Sequence, residues 1–355
     1  MKLKLNKKNV IIISIAVVLL LAGIGLLITK FFSNDKDFDD VNITDKEDKK
    51  DKENVIPDVQ IVDVNSKARP YAVMINNLGA ARPYHTGLQD AYLVYEIVVE
   101  GGITRYLALF RDKLPEVVGS VRSARHYYLD YALENDAYYV HWGWSPQAQS
   151  DISTLKINNL NGLSSGKPYF FRQNLNISSE HTGYANLKEM EKLVNSKNYR
   201  TETNKALLLN YSPTNIDLNN VEGKLDASNL DLKYSNGFTT NYVYDSNANV
   251  YKQYVNNKEH KDYKTGNQYT VKNIITYKVG NKTISGDNKG RQDLDNIGSG
   301  EGYFITGGVA VPITWEKKAR SDQTIYKYKD GTEITVNDGN TWIHIIPNNG
   351  NIGIS

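Results

Sequence analysis

Between Tyr95 and Tyr128 the chain sets Glu96, Glu100, Arg105, Arg122, Ser123 and Arg125 among strand-like apolar residues. Charges at that density must be solvated or paired once a sheet buries them, so the run marks a candidate site. The planar fork of arginine matches carboxylate and phosphate groups bidentately, which points to recognition of an anion. A self-contained network of carboxylates and guanidiniums is the purely structural reading of the same residues. Glycan hydrolysis by Glu96 and Glu100 is a third. Four residues along a strand separate their Cα atoms by about 13 Å, however, whereas a retaining glycosidase holds its carboxyls about 5–5.5 Å apart. A serine hydrolase would need Ser120, Ser123 or Ser145 beside His141 or His181, and the chain has no G-x-S-x-G elbow. None of the six histidines forms an H-x-x-x-H or H-E-x-x-H pair, so no metal site is expected. Gly298 to Gly302 lacks the Lys-Ser/Thr ending of a phosphate-binding loop and reads as a hairpin or irregular turn, and no cofactor is expected.

These residues need elements to position them. Tyr71 to Ile75, Ala91 to Val99 and Ile103 to Phe110 read as strands, the last two joined by Gly101-Gly102 as a two-residue hairpin loop. In that register Glu96 faces Leu107 and Val98 faces Arg105, so Arg105 lies diagonal to Glu96 and Glu100 on one face. Ser123 reads as the cap of a helix whose first N–H groups would lie beside Arg122 and Arg125 and favour an anion. Ser145-Pro146 opens a second helix, and a third is expected from about Tyr184 to Asn195. Beyond about Tyr199, tyrosine-rich and β-branched runs alternate with turn pairs such as Asp330-Gly331, which predicts a β-rich second half.

At the other end, Lys2, Lys4, Lys7 and Lys8 precede a mostly apolar run from Val10 to Thr29. Twenty helical residues span about 30 Å, the thickness of a bilayer core. This predicts a cytoplasmic tail (1–9), a membrane-spanning helix (10–29) and everything beyond it outside the cell. Residues 33–58 carry ten acids against five bases, a composition that predicts a disordered spacer. No cysteine occurs, which excludes disulfides, thiolate chemistry and lipidation through an N-terminal cysteine. A formal net charge of +2 gives no ground for a nucleic-acid partner.

ARPYAVMINN, ARPYHTGLQDA, VYEIVVEGGITRYLALF, VGSVRSARHYYLDYA and VHWGWSP follow one another between Ala68 and Pro146. Through them the chain resembles the YerB-like family, extracytoplasmic proteins of Gram-positive bacteria carrying a domain of unknown function. Weaker similarity runs through Phe171-Arg172 and Glu180-His181-Thr182, and a second module through HKDYKTGNQYTVKNIITY, GSGEGYF, ITWEK and DGNTWIHIIP. The resemblance implies an α+β fold, a three-layer αβ sandwich in the N-terminal module (59–200) with a β-rich C-terminal module (201–355), and it implies no reaction. Many relatives resemble lipoproteins, from which this cysteine-free chain departs. The ligand-binding candidates are therefore Arg82, His85, Glu96, Glu100, Arg105, Arg122, Ser123, Arg125, His141, Arg172 and His181. The expected partners are the membrane and a cell-wall polymer or envelope protein, with a wall-modifying hydrolase as the alternative function.

Overall fold

Tyr71–Asn76 (β1), Leu93–Val98 (β2) and Thr104–Phe110 (β3) are buried along their whole length, as near-continuous apolar runs covered on both faces must be. They sit inside an 11-stranded mixed sheet in a computed structural model that describes residues 58–355. The expected tail, the span 10–29 and all of the spacer before Asp58 lie outside the described residues. Among the described residues no helix is long and apolar enough to cross a membrane.

The remaining main strands, in chain order, are Tyr138–His141 (β4), Asn159–Asn161 (β5), Asn229–Ser235 (β6), Phe238–Asp245 (β7), Val250–Val255 (β8), Asn273–Val279 (β9), Gly298–Thr306 (β10), Val309–Lys317 (β11), Thr341–Pro347 (β12) and Asn351–Ile354 (β13). The large sheet runs Leu225–Asp226, β11, β10, β9, β12, β2, β3, β1, β4, β5, with Ile325–Tyr328 paired to β11. A second, 6-stranded sheet is built around β8, β7, β6 and β13. Its strand β6 alternates buried and exposed residues, the pattern of a sheet with one face on a core. The fold is mostly β, as the second half of the sequence suggests. The large sheet also joins the two halves, because β2 lies parallel to β12 with Glu96 opposite His344.

Three short α-helices occur among the described residues: Tyr128–Glu134 (α1), Pro146–Thr154 (α2) and Met190–Ser196 (α3). Ser145 caps α2 as expected, its side chain accepting from Ala148 N. Ser123 caps nothing, which corrects the sequence reading. Residues 121–124 are extended: Val121 N donates to Gly183 O at 2.7 Å, Arg122 N to Met74 O at 2.8 Å and Ala124 N to Gly143 O at 2.9 Å. Ala124 N, the first donor such a cap would serve, is thus already bonded, the Ser123 hydroxyl donates to Trp142 O, and α1 begins only at Tyr128. The third helix also starts later than expected, because Gly183–Ala185 is a strand. The glycine-rich stretch from Gly298 is not a turn but the start of β10. A Cβ on Gly300 would come within 2.8 Å of Trp315 Nε1, and one on Gly302 within 2.5 Å of Thr276 O. These glycines serve close packing rather than chain reversal.

One ion pair ties the halves together within the core. Lys317 Nζ on β11 lies 2.9 Å from Glu134 Oε2 on α1, both side chains buried, and Thr324 donates to the same oxygen.

Candidate functional site

Val99 N donates to Ile103 O, so the hairpin loop has three residues, Glu100-Gly101-Gly102, with both glycines at φ +70°. The register is Glu96 opposite Tyr106, Ile97 opposite Arg105 and Val98 opposite Thr104. This differs by one residue from the register a two-residue loop would give. Because side chains alternate faces, the slip places Glu96 and Arg105 on opposite sides of the sheet. The expected cluster of two carboxylates about Arg105 is therefore two separate sites.

On one face Glu96 is fully buried. It accepts from Thr104 Oγ1 at 2.6 Å, Asn77 Nδ2 at 3.3 Å and Thr240 Oγ1 at 2.9 Å, and lies 3.2 Å from His344 Nδ1. Arg82 joins this network by donating from Nε to Asn77 Oδ1 at 2.9 Å. The polar chain continues from His344 Nε2 to the Tyr242 hydroxyl (2.9 Å), then through Gln253 to His260 Nδ1 (2.7 Å). His260 Nε2 lies 2.8 Å from His85 Nδ1, and His85 Nε2 lies 2.5 Å from Asn76 O. Burial holds His85 at about 3 and His260 well below its ordinary value, so both imidazoles are neutral. Since Asn76 O can only accept, His85 carries its proton on Nε2 and takes one from His260 Nε2. His260 Nδ1 then needs a donor where Gln253 Oε1 stands at 2.7 Å, so this tautomer requires the oxygen and nitrogen of the Gln253 amide to be exchanged.

On the other face lies a cluster of arginines about Glu100. Arg105, 5% exposed, donates from Nη1 to Ser123 O and reaches Glu100 Oε2 at 3.7 Å, while its Nε has no partner among the described residues. Arg125 Nε pairs with the other oxygen of Glu100. Burial lowers Arg105 to about 10, helped by Arg125 and opposed by Glu100. Burial would raise Glu100, yet the hydrogen bond and charge of Arg125, with Arg105 behind it, hold it below the usual carboxylate value. Toward solvent, Arg122 Nη2 lies 2.8 Å from Glu180 Oε2, and His181 Nε2 lies 3.5 Å from Glu180 Oε1. Arg172 packs over Trp142, 4.5 Å from the ring centroid, and donates to Ser179 O.

Of the candidates, Glu100, Arg105, Ser123 and Arg125 are joined by direct contacts, and Arg122, Arg172 and His181 meet at the turn Ser179–His181. Arg82, His85 and Glu96 belong to the buried network. His141 is also buried, between Gly143 O and Asn159 Oδ1. Burial depresses it to about 4. The sequence reading missed His344 as a network member, because its neighbour in space is Glu96 across parallel strands. It also missed Asn76, whose Nδ2 lies 2.9 Å from His181 Nδ1 and links the two faces. Glu180 was within reach in the Glu180-His181-Thr182 phrase but was not singled out. Among the described residues no group of three or more His, Asp or Glu could hold a metal.

The family described as "Protein of unknown function (DUF3048)" matches through its N-terminal domain over residues 59–200 and its C-terminal domain over 230–343. A Bacillus subtilis (strain 168) protein named "Putative lipoprotein YerB" is 31% identical over 79% of this chain and 82% of its own length. The crystal structure of YerB protein from Bacillus subtilis superposes with a TM-score of 0.69 at 30% identity, covering 81% of this chain and 94% of that one.

Proposed function

This chain belongs to the DUF3048 family of proteins of unknown function, and from that premise we propose that it is a membrane-anchored envelope protein whose arginine cluster binds an anionic envelope ligand. The observation that carries this reading is a charge imbalance: among the described residues Arg105, Arg122 and Arg125 meet only Glu100 and Glu180, and Arg105 Nε is left without a partner. A buried donor without an acceptor is costly. An incoming carboxylate or phosphate group would supply both the charge and the acceptor. A relative named as a lipoprotein supports the envelope setting. Lacking cysteine, this chain would be held instead by a helix over 10–29, with residues 59–200 as a three-layer αβ sandwich outside the membrane. A reporter fused at the C-terminus is then expected to be active outside the cell, and activity inside the cytoplasm would sink the topology.

The hydrolase alternative draws no support from the site. Ser120 Oγ donates to His181 O and Ser123 Oγ to Trp142 O, so neither hydroxyl faces a base. Glu96 is sealed in the core.

Binding is tested by titrating soluble cell-wall fragments into the full-length protein in detergent. Arg122→Ala is expected to weaken binding about tenfold or more, as loss of a charge-assisted hydrogen bond does, with little change in thermal stability because Arg122 is partly exposed. Raised salt should weaken wild-type binding. Undiminished binding by Arg122→Ala would remove the arginine cluster from consideration.

A further inference from the structure

Glu180 sits on the turn Ser179–His181 with its side chain 54% exposed, yet its carboxylate occupies Arg122 Nη2, on the most exposed arginine of the cluster. The turn does not need that side chain to hold its place. Arg122 Nη1 donates to Glu180 O at 3.1 Å, Thr182 Oγ1 to Ser179 O at 2.9 Å and Ser120 Oγ to His181 O at 2.5 Å, all to backbone carbonyls. Arg172 also donates to Ser179 O. The carboxylate can therefore leave Arg122 while the turn stays, at the small cost of an exposed ion pair.

The chemistry of the vacated donors follows from the hydrogen bonds behind them. Leu78 N donates to Asn76 Oδ1 at 3.2 Å, which fixes the amide so that Asn76 Nδ2 faces His181 Nδ1. That nitrogen must accept, so neutral His181 carries its proton on Nε2, directed at Glu180 Oε1. Arg122 Nη2 donates to one oxygen of that carboxylate at 2.8 Å, and the N–H of His181 Nε2 lies 3.5 Å from the other. With Glu180 swung outward, Arg105, Arg122 and Arg125 face Glu100 alone.

Building on the anion-binding reading above, we propose that Arg122 Nη2 and His181 Nε2 form a carboxylate subsite that Glu180 fills in the free protein and that the carboxylate of an acidic peptide-bearing wall fragment takes over on binding. Glu180 is then an internal competitor that sets the threshold for binding, and carboxylate is selected over phosphodiester because the two donors match the plane and spacing of its two oxygens.

The test titrates full-length wild type, Glu180→Gln and Arg122→Ala in detergent with three probes: a soluble wall disaccharide-peptide with free carboxylates, the same fragment amidated, and glycerol phosphate oligomers. Glu180→Gln keeps the backbone contacts of the turn and is expected to bind the free-carboxylate fragment up to about fivefold more tightly, the factor an exposed ion pair represents. Its affinity for the amidated fragment should stay low, and Arg122→Ala should lose the gain. Unchanged or weaker binding by Glu180→Gln, with Arg122→Ala still impaired, would overturn the competitor role and leave the anion site standing. An equal gain toward glycerol phosphate would overturn the carboxylate assignment. Failure of wild type and Glu180→Gln to bind any probe would overturn both this subsite and the anion-binding reading beneath it.

Discussion

Glu96→Ala is expected to lower the unfolding free energy by about 3–5 kcal/mol, the cost of breaking a buried pair and stranding its partner. The carboxylate is the shared acceptor of Thr104, Asn77 and Thr240 and lies against His344, and none of these groups can reach water when it is removed. The same variant tests the hairpin register. With Glu96 and Arg105 on opposite faces, Glu96→Ala and Arg105→Ala should add to within about 0.3–0.5 kcal/mol in a double-mutant cycle. Arg105→Ala and Glu100→Ala, which share a face and an ion pair, should depart from additivity by more than that. Urea unfolding of the four single and double variants measures both couplings. A coupling above about 1 kcal/mol between Glu96 and Arg105 would restore the two-residue loop and one-sided cluster.

That register shows where a sequence stops informing. The strands of the hairpin were readable from their apolar runs, and so was the Ser145-Pro146 helix start, because both depend on local chemistry. Gly101 and Gly102 each accept a positive φ in a two-residue or a three-residue loop, so nothing local decides whether Glu100 joins the turn or extends the strand. One residue then reverses every facing. Ser123 failed for a different reason: a serine before a helical stretch is a good cap only if the following N–H groups are free, and here distant acceptors at Met74 and Gly143 claim the backbone on either side of it. The Glu96–His344 contact depends on β2 lying beside β12, a pairing of strands from opposite ends of the fold. Residue types in the cluster were legible. Their division between two faces was a property of topology.

Between pH 6.5 and about 4.5, stability is expected to fall as the pH is lowered, chiefly through three fully buried histidines, with His181, also lowered by burial, adding to the fall. His85 is held at about 3 by burial, which outweighs its bond to Asn76 O. Arg82 lowers it further and Asp262 opposes. His260 lies well below the ordinary value through burial, then the neighbouring His85 and Arg82. His141 is held at about 4 by burial, against its bonds to Gly143 O and Asn159. Each is neutral in the fold but binds a proton when unfolded below about pH 6.5. The unfolded state then holds more protons, so the stability they contribute is complete above pH 6.5 and is lost as the pH falls toward their folded values. At pH 5 the loss is about 2 kcal/mol for each histidine, or about 6 kcal/mol for the three. Carboxylates such as Glu100, lowered in the fold, add their own loss only below about pH 4.5. Urea unfolding of the full-length protein across pH 7 to 4.5 should therefore show a slope near three protons in its lower part, and His141→Asn should reduce it by one. A flat profile from pH 7 to 5 would mean that these imidazoles are already charged or open to water, and the neutral chain from His85 through His260 to Gln253 could not exist as described.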